Sequence, residues 1–259
     1  MNLYRTNTRI IARLDIKGPN LIKGVRLEGL RVVGEPNAFA EKYYKSGADE
    51  LIYMDSVASL YGRNHLGALI EKASRNIFIP ITVGGGIRSV EDARDILRSG
   101  ADKVAINTAA VKNPNLINKL AESFGSQSIV CSIEAKRINE NTWEVYVEGG
   151  REKTGIDVID WVKFCESEGA GELLVTSIDN EGTRSGFEVD LYETISKNTS
   201  IPVIASGGFG RIEHALAAVQ VGRVDAIAIA DAFHYNRVSL GEVRQYCRDA
   251  KLNVRNFDK

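Results

Sequence analysis

The sequence repeats itself about 122 residues apart. Gly-Gly-Gly-Ile-Arg-Ser-Val-Glu-Asp-Ala, starting at Gly84, is echoed by Gly-Gly-Phe-Gly-Arg-Ile-Glu-His-Ala, starting at Gly207. Ala-Asp-Glu-Leu-Ile-Tyr-Met from Ala48 is answered by Ala-Gly-Glu-Leu-Leu-Val-Thr from Ala170. Residues 10–17, which carry Asp15, correspond to 129–136, which carry Glu134. A repeat of this length implies two like halves packed on a shared core. It also places a carboxylate at the matching position of each half.

Short β-branched runs alternate with longer amphipathic stretches, the pattern of βα units around a parallel sheet. Strands are expected near 10–14, 50–54, 79–83, 103–106, 128–133, 172–176, 202–205 and 226–230. Helical patterns fall at 89–99, 115–124, 156–168, 190–197 and 211–219, with Pro36 and Pro114 at helix starts and Gly100 and Gly169 at helix ends. Eight strands in two like halves predict an α/β fold, a (β/α)8 TIM barrel of two half-barrels, about 1–126 and 127–259. An open doubly wound sheet is the alternative. No Pro/Gly/Ser-rich linker interrupts the chain, so one domain over 1–259 is expected. Long connections at 17–36 and 137–155 leave the C-terminal ends of strands, where barrel enzymes carry their chemistry. Residues 142–148 alternate enough for a small hairpin.

A formal charge of −1 with mixed signs argues against a nucleic-acid or membrane-surface partner. No run reaches the ~20 apolar residues that span a bilayer. Residues 1–9 carry charge and no apolar stretch, and the expected location is the cytoplasm. Cys131, Cys165 and Cys247 show neither a disulfide framework nor metal spacing. His65, His214 and His234 have no metal-like spacing and read as structural or surface residues. No metal and no cofactor are expected.

The glycine clusters at Gly86 and at Gly207 and Gly208 follow strands and open helices, where backbone N–H groups can approach a phosphate. Asn107 and Thr108 would complete the first site, and Gly182 the second. Tight turns without a ligand are the other reading. Asp15 and Glu134 end strands on opposite walls, which suits one group taking a proton and the other giving one. Lys17, Lys23 and Lys136 are candidate partners for them. Strand parity puts Arg9 and Arg13 on the lumen side with Asp15. Glu50, Lys103 and Glu172 start strands at the other mouth and, with Arg9, form a ring of alternating charge. A stabilising plug is the ordinary role of that face; a gate is the alternative.

Together these residues resemble the cyclase subunit family of imidazole glycerol phosphate synthase, from histidine biosynthesis. The likeness runs over essentially the whole chain. It is carried by Arg9-Ile-Ile-Ala-Arg-Leu-Asp-Ile-Lys17, Leu21-Ile-Lys-Gly-Val25, Ala48-Asp-Glu-Leu51, Val83-Gly-Gly-Gly-Ile-Arg-Ser-Val-Glu-Asp92, Gly100-Ala-Asp-Lys-Val104, Ile106-Asn-Thr-Ala-Ala110, Phe124-Gly-Ser-Gln127, Gly169-Ala-Gly-Glu-Leu173, Ala205-Ser-Gly-Gly208 and Phe233-His234. The resemblance implies a glutaminase subunit docked at the N-terminal face as a heterodimer partner, with ammonia passing through the barrel. At the C-terminal face ammonia would join a bisphosphorylated ribulosyl substrate, giving imidazole glycerol phosphate and an aminoimidazole carboxamide ribotide. It makes Arg9, Glu50, Lys103 and Glu172 gate residues, Asp102 a docking residue and Lys23 the lid lysine.

Departures gather at the active end. Glu134 and Glu181 stand where the family has aspartate, Arg13 replaces a small residue, and Asp231 replaces a phosphate-binding serine. Gly18-Pro19-Asn20 replaces the usual lid entry. This split resembles paralogues encoded with surface-polysaccharide genes, which serve sugar amidination together with a separate sugar amidotransferase. The expectation is an ammonia-delivering synthase subunit of that kind. The alternatives are a true histidine-pathway cyclase and a non-catalytic phosphate-binding scaffold.

Overall fold

The computed structural model describes residues 7–56, 58 and 66–257; His65 lies outside the described residues. Eight parallel strands close into a barrel: β1 (Arg9–Lys17), β4 (Glu50–Asp55), β5 (Ile81–Gly84), β6 (Lys103–Ile106), β7 (Ile129–Asn139), β10 (Glu172–Ser177), β11 (Val203–Ser206) and β12 (Ala226–Ile229). Closure is made by β12 pairing with β1 in the register Arg9↔Ala226 to Ala12↔Ile229. All eight coincide with the strands expected from sequence. The last two, β11 and β12, are short, apolar and buried on both faces, as parallel strands wrapped by helices must be.

Side chains alternate between lumen and helix layer along each strand. Ile11, Ile52, Ala105, Val130, Leu174, Ile204, Ala226 and Ala228 form a compact cluster of their own, separate from the larger core under the helices. Helices such as Pro36–Lys45, Val90–Arg98, Asn115–Phe124 and Val158–Ser167 cover the outside. Pro36 opens the first of them, and Ser89 caps the second through a reciprocal pair with Asp92.

The duplication is visible in the backbone. Gly47 and Gly169 turn at φ +91° and +97°, and Gly85 and Gly207 at +97° and +96°. The structural match is therefore Gly85 to Gly207, one residue off the alignment of the glycine runs read from sequence.

Two connections differ from their sequence reading. Residues 17–36, expected as a long loop, form a hairpin of β2 (Asn20–Val25) and β3 (Glu28–Gly34), and β2 pairs antiparallel with the end of β1. In the second half β7 runs on to Asn139 and pairs with β8 (Thr142–Val147), which pairs with β9 (Glu152–Asp157). The turn of that hairpin lies between Asn139 and Thr142, so 142–148 is one strand of the hairpin and not the whole of it. Each half thus prolongs its first strand into antiparallel pairing over the C-terminal mouth. Among the described residues, no helix is long and apolar enough to cross a membrane.

Candidate functional site

Arg13 and Asp15 share the lumen face of β1, and the antiparallel register of β2 carries Lys23 to them. Arg13 Nε donates to Asp15 Oδ1 at 2.9 Å, and Lys23 Nζ donates to Asp15 Oδ2 at 3.1 Å. Lys23 also pairs with the Glu181 carboxylate, from the loop after β10. Arg13 Nη1 crosses the lumen to Thr176 Oγ1 at 2.8 Å and Ser206 Oγ at 3.0 Å. All four charged residues are at most 5 % exposed. Burial alone would raise the Asp15 carboxyl, but the Arg13 and Lys23 charges outweigh it and hold Asp15 below the ordinary carboxylate range.

Glu134 has a different environment. Burial pushes its carboxyl up to about 7, against a hydrogen bond from Gly150 N at 2.7 Å and the charge of Arg13. The two carboxyls thus differ in proton affinity, one held ionised and the other titrating near neutrality. Of the lysines proposed as partners, only Lys23 is one. Lys17 is exposed, and the Lys136 ammonium lies 5.4 Å over the Tyr146 ring.

Both carboxyls line a cavity of about 440 Å³, together with Arg13, Gly86, Asn107 and Thr108. That is the size of a small-molecule site. Gly85 and Gly86 turn at positive φ along its floor. Asn107 Nδ2 donates to Tyr146 O at 3.2 Å, and Thr108 Oγ1 accepts from Glu148 N at 3.1 Å, which leaves the Thr108 hydroxyl proton available to a ligand.

In the matching region of the second half Gly182, Gly207, Gly208, Ser206 and Asp231 line a narrow space of about 20 Å³, and Asp231 also borders a wider cavity of about 580 Å³ with Lys23, Arg184 and Arg237. A Cβ on Gly182 would come within 2.5 Å of Gly24 O, so its smallness also admits the β2–β3 hairpin. Asp231 faces Arg184, whose Nε donates to Oδ1 at 2.7 Å, and Arg237, whose Nε lies at 3.6 Å. Sequence reasoning missed Arg184. The signal for it was a loop flanked by Gly182 and Gly186, both at positive φ.

At the opposite mouth the charge ring is closed. Arg9 reaches Glu50 at 2.8 Å and Glu172 at 2.5 Å, and Lys103 reaches Glu50 at 3.2 Å and Glu172 at 2.8 Å. Each cation touches both anions. Asp102 accepts from Ile81 N at 2.8 Å, so its carboxylate already has a partner within the fold. Phe78, 77 % exposed in the segment entering β5, is an aromatic residue that the sequence reading did not single out. The described histidines serve the fold: His234 Nδ1 meets Tyr43 Oη at 2.6 Å, and His214 Nδ1 accepts from Gly210 N at 3.1 Å. The three cysteines are buried and free.

Comparison with known proteins agrees with this arrangement. The family described as histidine biosynthesis protein matches residues 9–239. A Legionella pneumophila protein named imidazole glycerol phosphate synthase subunit HisF is 65 % identical over 208 residues, covering 80 % of this chain and 98 % of that one. Proteins of the same name from Bacillus cereus (strain Q1) and Methanocaldococcus jannaschii are 48 % and 47 % identical, each pairing covering 95 % of this chain and 98 % of the relative.

Proposed function

The chain belongs to the histidine biosynthesis protein family, and from that premise we propose that it is the cyclase subunit of an imidazole glycerol phosphate synthase, built as one barrel domain of two half-barrels. The observation that carries this reading is the pair of carboxyls on one cavity, Asp15 ionised and Glu134 protonated near neutrality, beside the backbone cradle at Gly86 and Thr108. The cradle holds a phosphate of a bisphosphorylated ribulosyl acceptor. Ammonia adds to the acceptor's carbonyl carbon with loss of water, Asp15 taking a proton from the added nitrogen; the ring closure that follows breaks the bond to the aminoimidazole carboxamide ribotide, which leaves with a proton from Glu134. Lys23, on the hairpin over the mouth, fixes Asp15 in place. Ammonia comes from a glutaminase subunit docked over the charge ring, near Asp102 and Phe78.

A second reading, ammonia delivery for sugar amidination with a separate amidotransferase, is favoured by the substitutions at Glu134 and Asp231. The names and the near-complete coverage of the relatives favour the cyclase. Complementation decides between them. A strain lacking its histidine cyclase should grow when given this chain and ample ammonia. No growth, with soluble protein present, would overturn the cyclase and leave amidination.

The ring has its own test. Lys103→Ala and Arg9→Ala should leave ammonia-dependent turnover near wild type and lower product formed per glutamine hydrolysed severalfold. If that ratio is unchanged in both, the ring is a stabilising plug and not a gate.

A further inference from the structure

Arg13 stands where the lumen meets the cavity. It follows Ile11 by two residues on the same face of β1, and Ile11 belongs to the apolar cluster that fills the lumen with Val130 and Leu174. Arg13 itself is 5 % exposed and lines the cavity beside Asp15 and Glu134.

A guanidinium carries five N–H donors in a fixed plane. Nε donates to Asp15 Oδ1 at 2.9 Å, and Nη1 donates to Thr176 Oγ1 at 2.8 Å and to Ser206 Oγ at 3.0 Å. Residues of three strands, β1, β10 and β11, thus hold that plane in place. Among the described residues Nη2 has no hydrogen-bond partner, so two donors remain for a ligand in the cavity. Burial would lower the proton affinity of Arg13, but the charges of Asp15 and Glu181 outweigh it. The group stays a cation and gives no proton away.

A fixed cationic donor of this kind suits an oxygen on which negative charge develops. When ammonia attacks a carbonyl carbon, the π pair of the carbonyl moves onto its oxygen. Donors already in place gain more from that alkoxide than from the neutral carbonyl, and nothing has to reorganise as the charge appears. Asp15 accepts from the same guanidinium, so a base for the nitrogen and a donor for the oxygen lie side by side.

We infer that Arg13 is a catalytic residue, whose Nη2 holds the acceptor's carbonyl oxygen and stabilises the alkoxide formed when ammonia adds. The inference rests on the proposed function and adds the group that binds the reacting oxygen. Nitrogen bonds to carbon and the π bond breaks. Asp15 then passes a proton from nitrogen to that oxygen, which leaves a neutral carbinolamine and Arg13 still protonated.

Arg13→Lys keeps a cation near Asp15 and lacks the second amino group. With ammonia and the ribulosyl acceptor its kcat should fall about 10²- to 10³-fold, the worth of one oxyanion donor. KM should change little, and the loss should be uniform with pH. A kcat within about tenfold of wild type overturns the inference. So does a loss confined to low pH, where a reprotonated Asp15 would be the whole effect. A second measurement needs neither turnover nor a variant. Formate, a small planar oxyanion, should shift the Arg13 side-chain nitrogen resonances of the wild type saturably, and chloride at equal ionic strength should not. Resonances indifferent to formate overturn the inference whatever the variant does. A formate shift in a protein that cannot turn over the ribulosyl acceptor upholds the oxygen site and sinks the cyclase.

Discussion

Glu134→Gln is expected to lower ammonia-dependent turnover by about 10²- to 10⁴-fold, the usual worth of a positioned acid or base, while making the folded protein more stable above pH 7. Both effects have one cause. The ordinary value for a glutamate is 4.5, and burial raises the folded value here to about 7. Between those values the folded chain keeps a proton that the unfolded chain releases. Stability is therefore unaffected below about pH 4.5, falls as pH rises toward 7, and stays reduced above it. At 1.36 kcal/mol per unit the loss reaches at most about 3.5 kcal/mol. Glu134 opens onto the cavity, where water screens part of the charge, so this is an upper bound. Glutamine keeps an oxygen for Gly150 N and has no charge to desolvate. Denaturation at pH 5 and pH 8 should show the wild type weakening and the variant changing less. Parallel profiles would mean that Glu134 is ionised throughout, and the division of acid and base roles would be lost with it.

The parts of this fold legible in the sequence are those that local patterning determines. Strands buried on both faces leave apolar runs, and the repeat supplied their number and order, so the barrel and the ring of Arg9, Glu50, Lys103 and Glu172 followed from strand starts alone. The β2–β3 hairpin was not legible because β3 is largely exposed, with Val32 66 % open, and shows no clean alternation. The Lys23–Glu181 pair depends on the register of β2 against β1, and those residues are 158 apart. Arg184 and Asp231 meet because the loop after β10 reaches past β11 to the end of β12. The identity of Asp231 could be read, but its pairing with the Arg184 guanidinium could not. Glu134 shows the same limit. Its residue type was plain, and its raised proton affinity comes from burial that only the folded mouth provides.

The second large effect belongs to Lys23. Lys23→Met should destabilise the chain by about 3–5 kcal/mol, the range for removing one partner from a buried ion cluster. Arg13, Asp15, Lys23 and Glu181 are four buried charges of zero formal sum. Methionine fills the space of the stem and removes the ammonium, which leaves Asp15 and Glu181 with Arg13 as their one remaining cation in the cluster. Arg13 contacts Asp15 at 2.9 Å, while Glu181 takes its charge partner from Lys23. Glu181 is then the costly group, and adding Glu181→Gln should recover most of the loss although it removes a second ionic partner. The double variant keeps the Arg13–Asp15 pair and restores neutrality. At about 2–4 °C per kcal/mol the single variant should melt roughly 10 °C lower, with the double variant well above it. Residues in one ionic network do not add, so a coupling energy above about 1 kcal/mol is expected from the full cycle. Additive losses would show that Lys23 and Glu181 act separately. Closure of the hairpin would then rest on backbone contacts such as Arg26 N to Glu181 O at 2.8 Å, and not on the buried charge.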